Sequence, residues 1–418
     1  MVKTELKKKM YKMKILLVSF DNSEKAKIGG KHIHQELIKR GWEEGGHSVD
    51  IIYPKGNKRL LKKILRKSLQ IIKIINPLNY YYYSVTEDRI SLESSIRNNL
   101  LTLKYDFVSV QDVVAAVAVK NIFDELKIKT PVLLTLHGYF SRESVNYGNF
   151  DSAEQTKILN FGMQIEKTAI QFVNGIVTVD TRIKEYVIAT FDYQKPIKMI
   201  CNAIDDSRFF KVDSDTKAML RSKINLRNEQ TILLVARRLV KKNGVIYAAE
   251  AIKVLKDSGF LLGRNIKLLI VGRGPEQKEI EEFIINNNLD EWIDVVGIVK
   301  HSFIDSYYKS ADIILMPSIL SDDIEEATSL SMLEGLACGK TVIASAIGGL
   351  KEVITDGVNG ILVKDKNPTE IADSIKKVIL SDKFLFEIEK NAQEYAEKNC
   401  KYSQHSDKFL DFVIEKVI

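Results

Sequence analysis

Cysteine, proline and long apolar runs are scarce in this chain, and each scarcity removes a class of protein. The three cysteines among 418 residues, Cys201, Cys338 and Cys400, are far apart and form no CxxC pair. A disulfide framework and a structural zinc site are therefore not expected, whereas a reducing cytosol is. Seven prolines and 22 glycines exclude a collagen-like or low-complexity chain. No run of about 18 uncharged apolar residues occurs, so no spanning helix is expected. The opening stretch, MVKTELKKKMYKMKILLVSF, is basic, and its apolar part is too short for a signal peptide. Charge is nearly balanced: 62 Lys and Arg face 55 Asp and Glu, a net +7. That mild excess suits an anionic ligand or membrane surface without requiring either.

What the chain does have is a repeated alternation of short Val/Ile/Leu runs and helix-length segments. Strand-like runs are Lys14–Phe20, Ser48–Tyr53, Asp106–Val110, Pro131–Leu136, Gly175–Val179 and Ile197–Cys201. A second series is Thr231–Ala236, Ile266–Val271, Ile293–Gly297, Asp312–Met316, Thr341–Ala344 and Gly360–Val363. Most are continuously apolar, as in strands buried on both faces of a parallel sheet. Twelve strands are too many for one sheet, so the pattern predicts an α/β protein of two Rossmann-like, doubly wound domains. The polar segment 202–215 reads as their linker, which gives domains over 1–205 and 206–400. Three helical patterns close the chain, the last over 401–418.

Residues 55–75 carry eight Lys or Arg and no acid. Their apolar residues recur at helical spacing, which makes 58–75 a basic amphipathic helix. It fits either a solvated surface helix or one lying on an anionic bilayer. No aromatic-interleaved basic motif supports nucleic-acid binding.

The chemistry concentrates in the second half. The run Ile313–Met316 leads into an acidic, small-residue loop and then a helix starting near Thr328 or Ser329. A helix N-terminus offers backbone N–H groups and positive potential to a phosphate. Ala327, Ser329, Leu330 and Ser331 lie at that end, and the small side chains allow close approach. Glu326 and Glu334 flank it, and carboxylates accept hydrogen bonds from the vicinal hydroxyls of sugars and ribose. Both acids also suit the helix dipole as purely structural groups.

This segment resembles the donor-binding signature of the retaining glycosyltransferases of family 4, which have the GT-B fold. The pattern there is an acid, a Gly-rich triplet and Leu-Glu-Ala-Met-Ala-Cys-Gly. Here Glu326 is followed by Ala327-Thr328-Ser329 and by Leu333-Glu334-Gly335-Leu336-Ala337-Cys338-Gly339. The Glu-x7-Glu spacing is kept, and the triplet is replaced. Upstream, LLVARRLVKKNG resembles the family's strand-end Arg and Lys motif, with Arg237 and Lys242 as the two cations. Arg238 with Asn243 is the alternative register and loses one cation. Ile270–Glu276 (IVGRGPE) makes Gly272 and Arg273 donor-site candidates by the same resemblance.

In the first half, Gly29 and Gly30 open a helix after the first strand, and the resemblance places them at the donor phosphates. The Gly-x-Gly-x-x-Gly of a dinucleotide site is absent. His137 stands at a strand's carboxyl end, where open α/β sheets build sites, and the family has a donor-contacting histidine there. His32 and His34 read as surface or groove residues, since no metal shell accompanies them.

The resemblance implies two domains facing across a cleft, with the last helix returning to the first domain. It implies transfer of a hexosyl group, with retention, from a nucleotide-diphosphate sugar to a hydroxyl of a saccharide or lipid-linked acceptor. Polysaccharide or glycolipid synthesis follows as the setting. Leaving-group stabilisation falls to Arg237 and Lys242, and donor orientation to Glu326, Glu334 and His137. No metal or other cofactor is expected, and Asp322-Asp323 reads as a solvated pair. A cytoplasmic protein is expected, peripheral to the inner membrane face if helix 58–75 binds lipid. A nucleotide-sugar 2-epimerase of the same fold and a non-catalytic nucleotide-sugar-binding subunit are the rival readings.

Overall fold

The computed structural model describes residues 12–21, 30–54, 76–145, 150–321 and 325–418. Gly29, the basic stretch 58–75 and Asp322-Asp323 lie outside the described residues. The chain divides into two compact units, 1–201 with 405–418, and 202–404.

The first unit holds a six-stranded sheet of β1 (Lys14–Val18), β2 (Ser48–Ile52), β3 (Phe107–Val110), β4 (Val132–Leu136), β5 (Gly175–Thr178) and β6 (Ile197–Met199). Its order is β2-β1-β3-β4-β5-β6, with every pairing parallel. β3, β4 and β5 are buried at every position, which is why their sequences are unbroken apolar runs rather than alternating ones. Strand order reverses between β1 and β3, the switch point where such sheets open a crevice.

The helix Gly30–Glu44 turns His34, Leu37, Ile38, Gly41 and Trp42 inward, a helical 3–4 spacing. His34 is thus buried, at 1% exposure, and not the surface or groove residue its H-x-H context suggests. Periodicity decided its position. Its ring lies edge-on to His137 at 4.7 Å and to His405 at 5.1 Å. Trp42 is fully buried. It packs against Phe107 and Phe409 and donates its indole N–H to the carbonyl of Ser406 at 3.2 Å. Phe409, Leu410, Phe412 and Val413, from the end of the chain, share this core. Each such side chain contributes about 1.5–3 kcal/mol by leaving water.

The second unit repeats the plan with β7 (Thr231–Ala236), β8 (Ile266–Val271), β9 (Ile293–Gly297), β10 (Ile313–Met316), β11 (Thr341–Ser345) and β12 (Ile361–Val363). The order is β12-β11-β10-β7-β8-β9, again all parallel. Its switch point lies between β7 and β10. Among the described residues no helix is long and apolar enough to cross a membrane.

Candidate active site

In the second unit the loops after β7, β8 and β10 are stitched together by their backbones. The amide of Arg237 donates to the carbonyl of Val271 at 2.9 Å, and Leu239 to that of Arg273 at 3.0 Å. The amide of Ile319 donates to the carbonyl of Lys242 at 2.9 Å. Gly272 has a φ of +142°, and a Cβ there would fall 1.8 Å from the Arg237 carbonyl oxygen. Only glycine permits that approach. Gly244 does the same for the loop after β10, with the Pro317 oxygen 2.0 Å from a would-be Cβ.

This stitching brings three of the sequence candidates together. The guanidinium of Arg237 meets Glu326 at 2.7 Å, and the Lys242 ammonium lies 3.8 Å from the other oxygen of the same carboxylate. Arg237 also donates to the Ser318 hydroxyl. Its side chain is 4% exposed, whereas Arg238 is exposed. Two cations thus share one carboxylate at the carboxyl ends of β7 and β10. That is a place for an anion.

The loop carrying Glu326 is held from three sides. The Gly349 amide donates to the Glu326 carbonyl at 2.9 Å. A Cβ on Gly349 would strike the Thr328 amide at 2.5 Å. The Asn202 amide donates to the Thr328 carbonyl at 2.9 Å. Ser329 caps the helix Leu330–Ala337 without a side-chain hydrogen bond. The first backbone N–H groups of that helix therefore take no hydrogen bond from the Ser329 hydroxyl. Ser331 is committed inward, its hydroxyl donating to the Ala236 carbonyl at 2.9 Å. Glu334 is buried beside the Tyr308 hydroxyl. Burial pushes its carboxyl up to about 8, against the opposing pull of Tyr308 and the Arg208 charge. It is therefore largely protonated at neutral pH. Arg273 is exposed at the rim of this loop cluster.

The first unit has its own constellation at the switch point between β1 and β3. The Lys31 ammonium reaches Asp21 and Asp112, each at 2.8 Å. Burial works against that charge, but the two carboxylates outweigh it and hold Lys31 above the ordinary lysine range. Asp112 is the hub. It caps the helix Val113–Leu126 by accepting from Ala115 at 2.8 Å, and it accepts from the Phe20 amide at 2.9 Å. His137 follows β4, its Nε2 3.5 Å from the side-chain Oε1 of Gln111. Burial first, then His34, Lys31 and His405, hold its imidazole well below 6.5. It is neutral at pH 7. Gly30 begins the helix that presents Lys31.

Sequence reasoning missed Lys31, Asp112, Ser318, Tyr308 and Gly349. A signal existed for two of them. An Asp directly before the apolar run 113–119 is an N-cap pattern, and the Gly348-Gly349 pair marks a close backbone approach. Among the described residues no group of three or more His, Cys, Asp or Glu is placed to hold a metal ion.

Comparison with known proteins fits this geometry. Residues 216–399 match the family described as Glycosyl transferases group 1, and residues 28–208 match Glycosyltransferase Family 4. An uncharacterized glycosyltransferase of Methanocaldococcus jannaschii is 24% identical over 91% of this chain and 93% of its own. Sucrose-phosphate synthase from Thermosynechococcus elongatus superposes with a TM-score of 0.75 at 18% identity, over 97% of this chain and 99% of that one. Anabaena HepE in complex with UDP does so with a TM-score of 0.67 at 17% identity, over 96% and 100%. The class is a glycosyltransferase enzyme of the two-domain α/β GT-B fold. Within that class, the chain belongs to the group 1 glycosyltransferases of family 4.

Proposed function

We propose that this glycosyltransferase moves a hexosyl group from a nucleotide-diphosphate sugar to a hydroxyl of a saccharide or lipid-linked acceptor, with retention at the anomeric carbon. The observation that carries the reading is the pairing of Arg237 and Lys242 on Glu326 at the switch point of the second sheet. As the glycosidic bond breaks, the departing diphosphate gains negative charge. A guanidinium and an ammonium already fixed beside it stabilise that charge without reorganising at the moment of reaction. The N-terminus of Leu330–Ala337, which the Ser329 hydroxyl does not cap, adds N–H donors for the same phosphates. Glu326 and the protonated Glu334 are the groups for sugar and ribose hydroxyls, one accepting hydrogen bonds and the other able to donate one. A neutral His137 can likewise donate or accept without repelling a sugar.

UDP in the Anabaena neighbour makes a uridine nucleotide the first to try. No metal is required by this reading, because two side-chain cations take the neutralising role. The test is thermal stabilisation of the full chain by UDP, GDP, ADP and CMP, with and without EDTA, on wild type and Arg237→Ala. Stabilisation by one nucleotide that survives EDTA and is lost in the variant supports the reading. Equal stabilisation of wild type and variant overturns the site. Stabilisation abolished by EDTA overturns metal independence.

A further inference from the structure

One side chain of the second unit is placed at a cost to the fold. Asn202 is the first residue of that unit, directly after the chain leaves the first. It is 8% exposed. Its side-chain amide donates to the Thr328 carbonyl, 126 residues away, at 2.9 Å. Its own Oδ1 is buried and makes no hydrogen bond to the described protein. A buried amide oxygen left unpaired costs at least what one neutral hydrogen bond returns. Asparagine is therefore not explained by stability, and the bond to Thr328 is what it supplies.

That bond sets the direction of a peptide group. A trans peptide is planar, so its C=O and N–H point opposite ways, and no cis peptide occurs among the described residues. With the Thr328 carbonyl turned to Asn202, the Ser329 N–H points away from it. Ser329 opens the helix Leu330–Ala337 at a φ of −79°. Among the described residues no carbonyl accepts from its N–H. Two peptides earlier, the Gly349 amide holds the Glu326 carbonyl in the same manner, at 2.9 Å. The peptides 326–327 and 328–329 are thus both pinned by their oxygens, in the loop whose Glu326 carboxylate meets Arg237 and Lys242.

We propose that Asn202 is a positioning residue for donor binding: by holding the Thr328 carbonyl it aims the Ser329 N–H at the donor's diphosphate. The inference rests on the glycosyl-transfer reading above and adds a residue to its donor site. Asn202 touches no donor atom in this role and acts through the 328–329 peptide. Without it that peptide is free to turn, and the phosphate loses one N–H while Arg237 and Lys242 stay in place.

The test is calorimetric titration of the full chain with UDP, or with whichever of GDP, ADP and CMP stabilises the wild type in its place. Asn202→Ala is expected to weaken binding about 5- to 10-fold. Ser329→Pro removes the N–H itself, and the φ of −79° lies within the proline range. In that background Asn202→Ala is expected to change the affinity by less than about 2-fold, because the group it aims is already gone. Asn202→Asp keeps the shape of the side chain, and its carboxylate has no N–H to give; it replaces the alanine variant in the cycle if that variant does not fold. Amide NMR on serine-labelled chain reads the bond directly. Nucleotide is expected to move the Ser329 N–H downfield in the wild type and not in the Asn202 variant, a signature that a merely structural asparagine would not give. Unchanged affinity in the Asn202 variant overturns the proposal, as do effects that multiply in the double variant. The two readings fail separately. Wild-type binding with an unmoved Asn202 variant sinks only the positioning role, whereas no binding by any of the four nucleotides sinks the transfer reading beneath it.

Discussion

The two units use one sheet plan and fill its switch point in opposite ways. In the second unit the crevice between β7 and β10 is closed down by glycine. Gly244 and Gly272 let carbonyl groups approach to distances no Cβ would allow, and the charged groups that remain are held within a few ångströms of each other. In the first unit the crevice between β1 and β3 stays open as a 900 Å³ cavity walled by aromatic rings. The first arrangement is short-range and charged, and the second is roomy and walled by rings and carboxylates. The lesson is that a shared fold fixes where a site forms and leaves its chemistry to a few loop residues.

The sharpest way to break this contrast is to remove one cation from each unit. Arg237→Ala takes a donor from the predicted leaving-group site, and kcat/KM is expected to fall about 10²- to 10³-fold. Lys31→Ala, in the first unit, is expected to leave nucleotide stabilisation intact. Equal loss of nucleotide binding in both variants would erase the division of labour.

Glycine offers a second contrast, read as stability. Gly272→Ala drives a Cβ to 1.8 Å from a backbone oxygen at φ +142°, with no flexible group to yield. A loss of about 3 kcal/mol or more is expected in urea unfolding. Gly138→Ala in the first unit meets the end of the Glu143 side chain at 2.2 Å, and that carboxylate can swing away. A change within about 1 kcal/mol is expected there. Asp112→Ala falls between the two. It removes a helix cap, an acceptor for Phe20 and half of the Lys31 clamp, and about 2 kcal/mol is expected to go. Similar costs for all three would mean that both crevices are equally rigid.

The same contrast explains what the sequence made legible. The central strands were readable because most are continuous apolar runs, as strands buried on both faces are, whereas edge strands such as β6 and β9 carry exposed polar positions. Arg237, Lys242, Glu326 and Glu334 could be singled out because the resemblance to the family fixes their spacing along two short segments, and the fold brings the first three together. The cavity was not. Its walls are single residues at the ends of four separate elements, such as Tyr81, Asp112, Thr135 and Phe150, and no spacing along the chain connects them. Lys31 sat beside the glycines that drew the eye, and its role depends on two aspartates 10 residues before it and 81 after it. His34 was misplaced for a related reason. H-x-H draws attention to metal chemistry, while the 3–4 spacing to Ile38 and Trp42 decides which way the ring points.

The smallest expected effect is a difference in how the two units answer to pH. In the second unit Glu334 has a folded value of about 8 against an ordinary 4.5. Between those values the unfolded chain has already lost the proton that the folded chain keeps. Stability from this group is thus full below 4.5 and declines as pH rises towards 8. In the first unit His137 and His405 are held below 6.5, by burial first and then by His34 and neighbouring lysines. There the unfolded chain takes up protons that the folded chain refuses, so stability is lost as pH falls below 6.5. Hydrogen exchange at acid and alkaline pH is expected to show the first unit loosening first in acid and the second first in alkali. Glu334→Gln should flatten the alkaline limb alone, and His405→Gln the acid limb alone. If one substitution flattens both limbs, the buried charges of the two units are not independent, and the contrast between the two crevices fails with them.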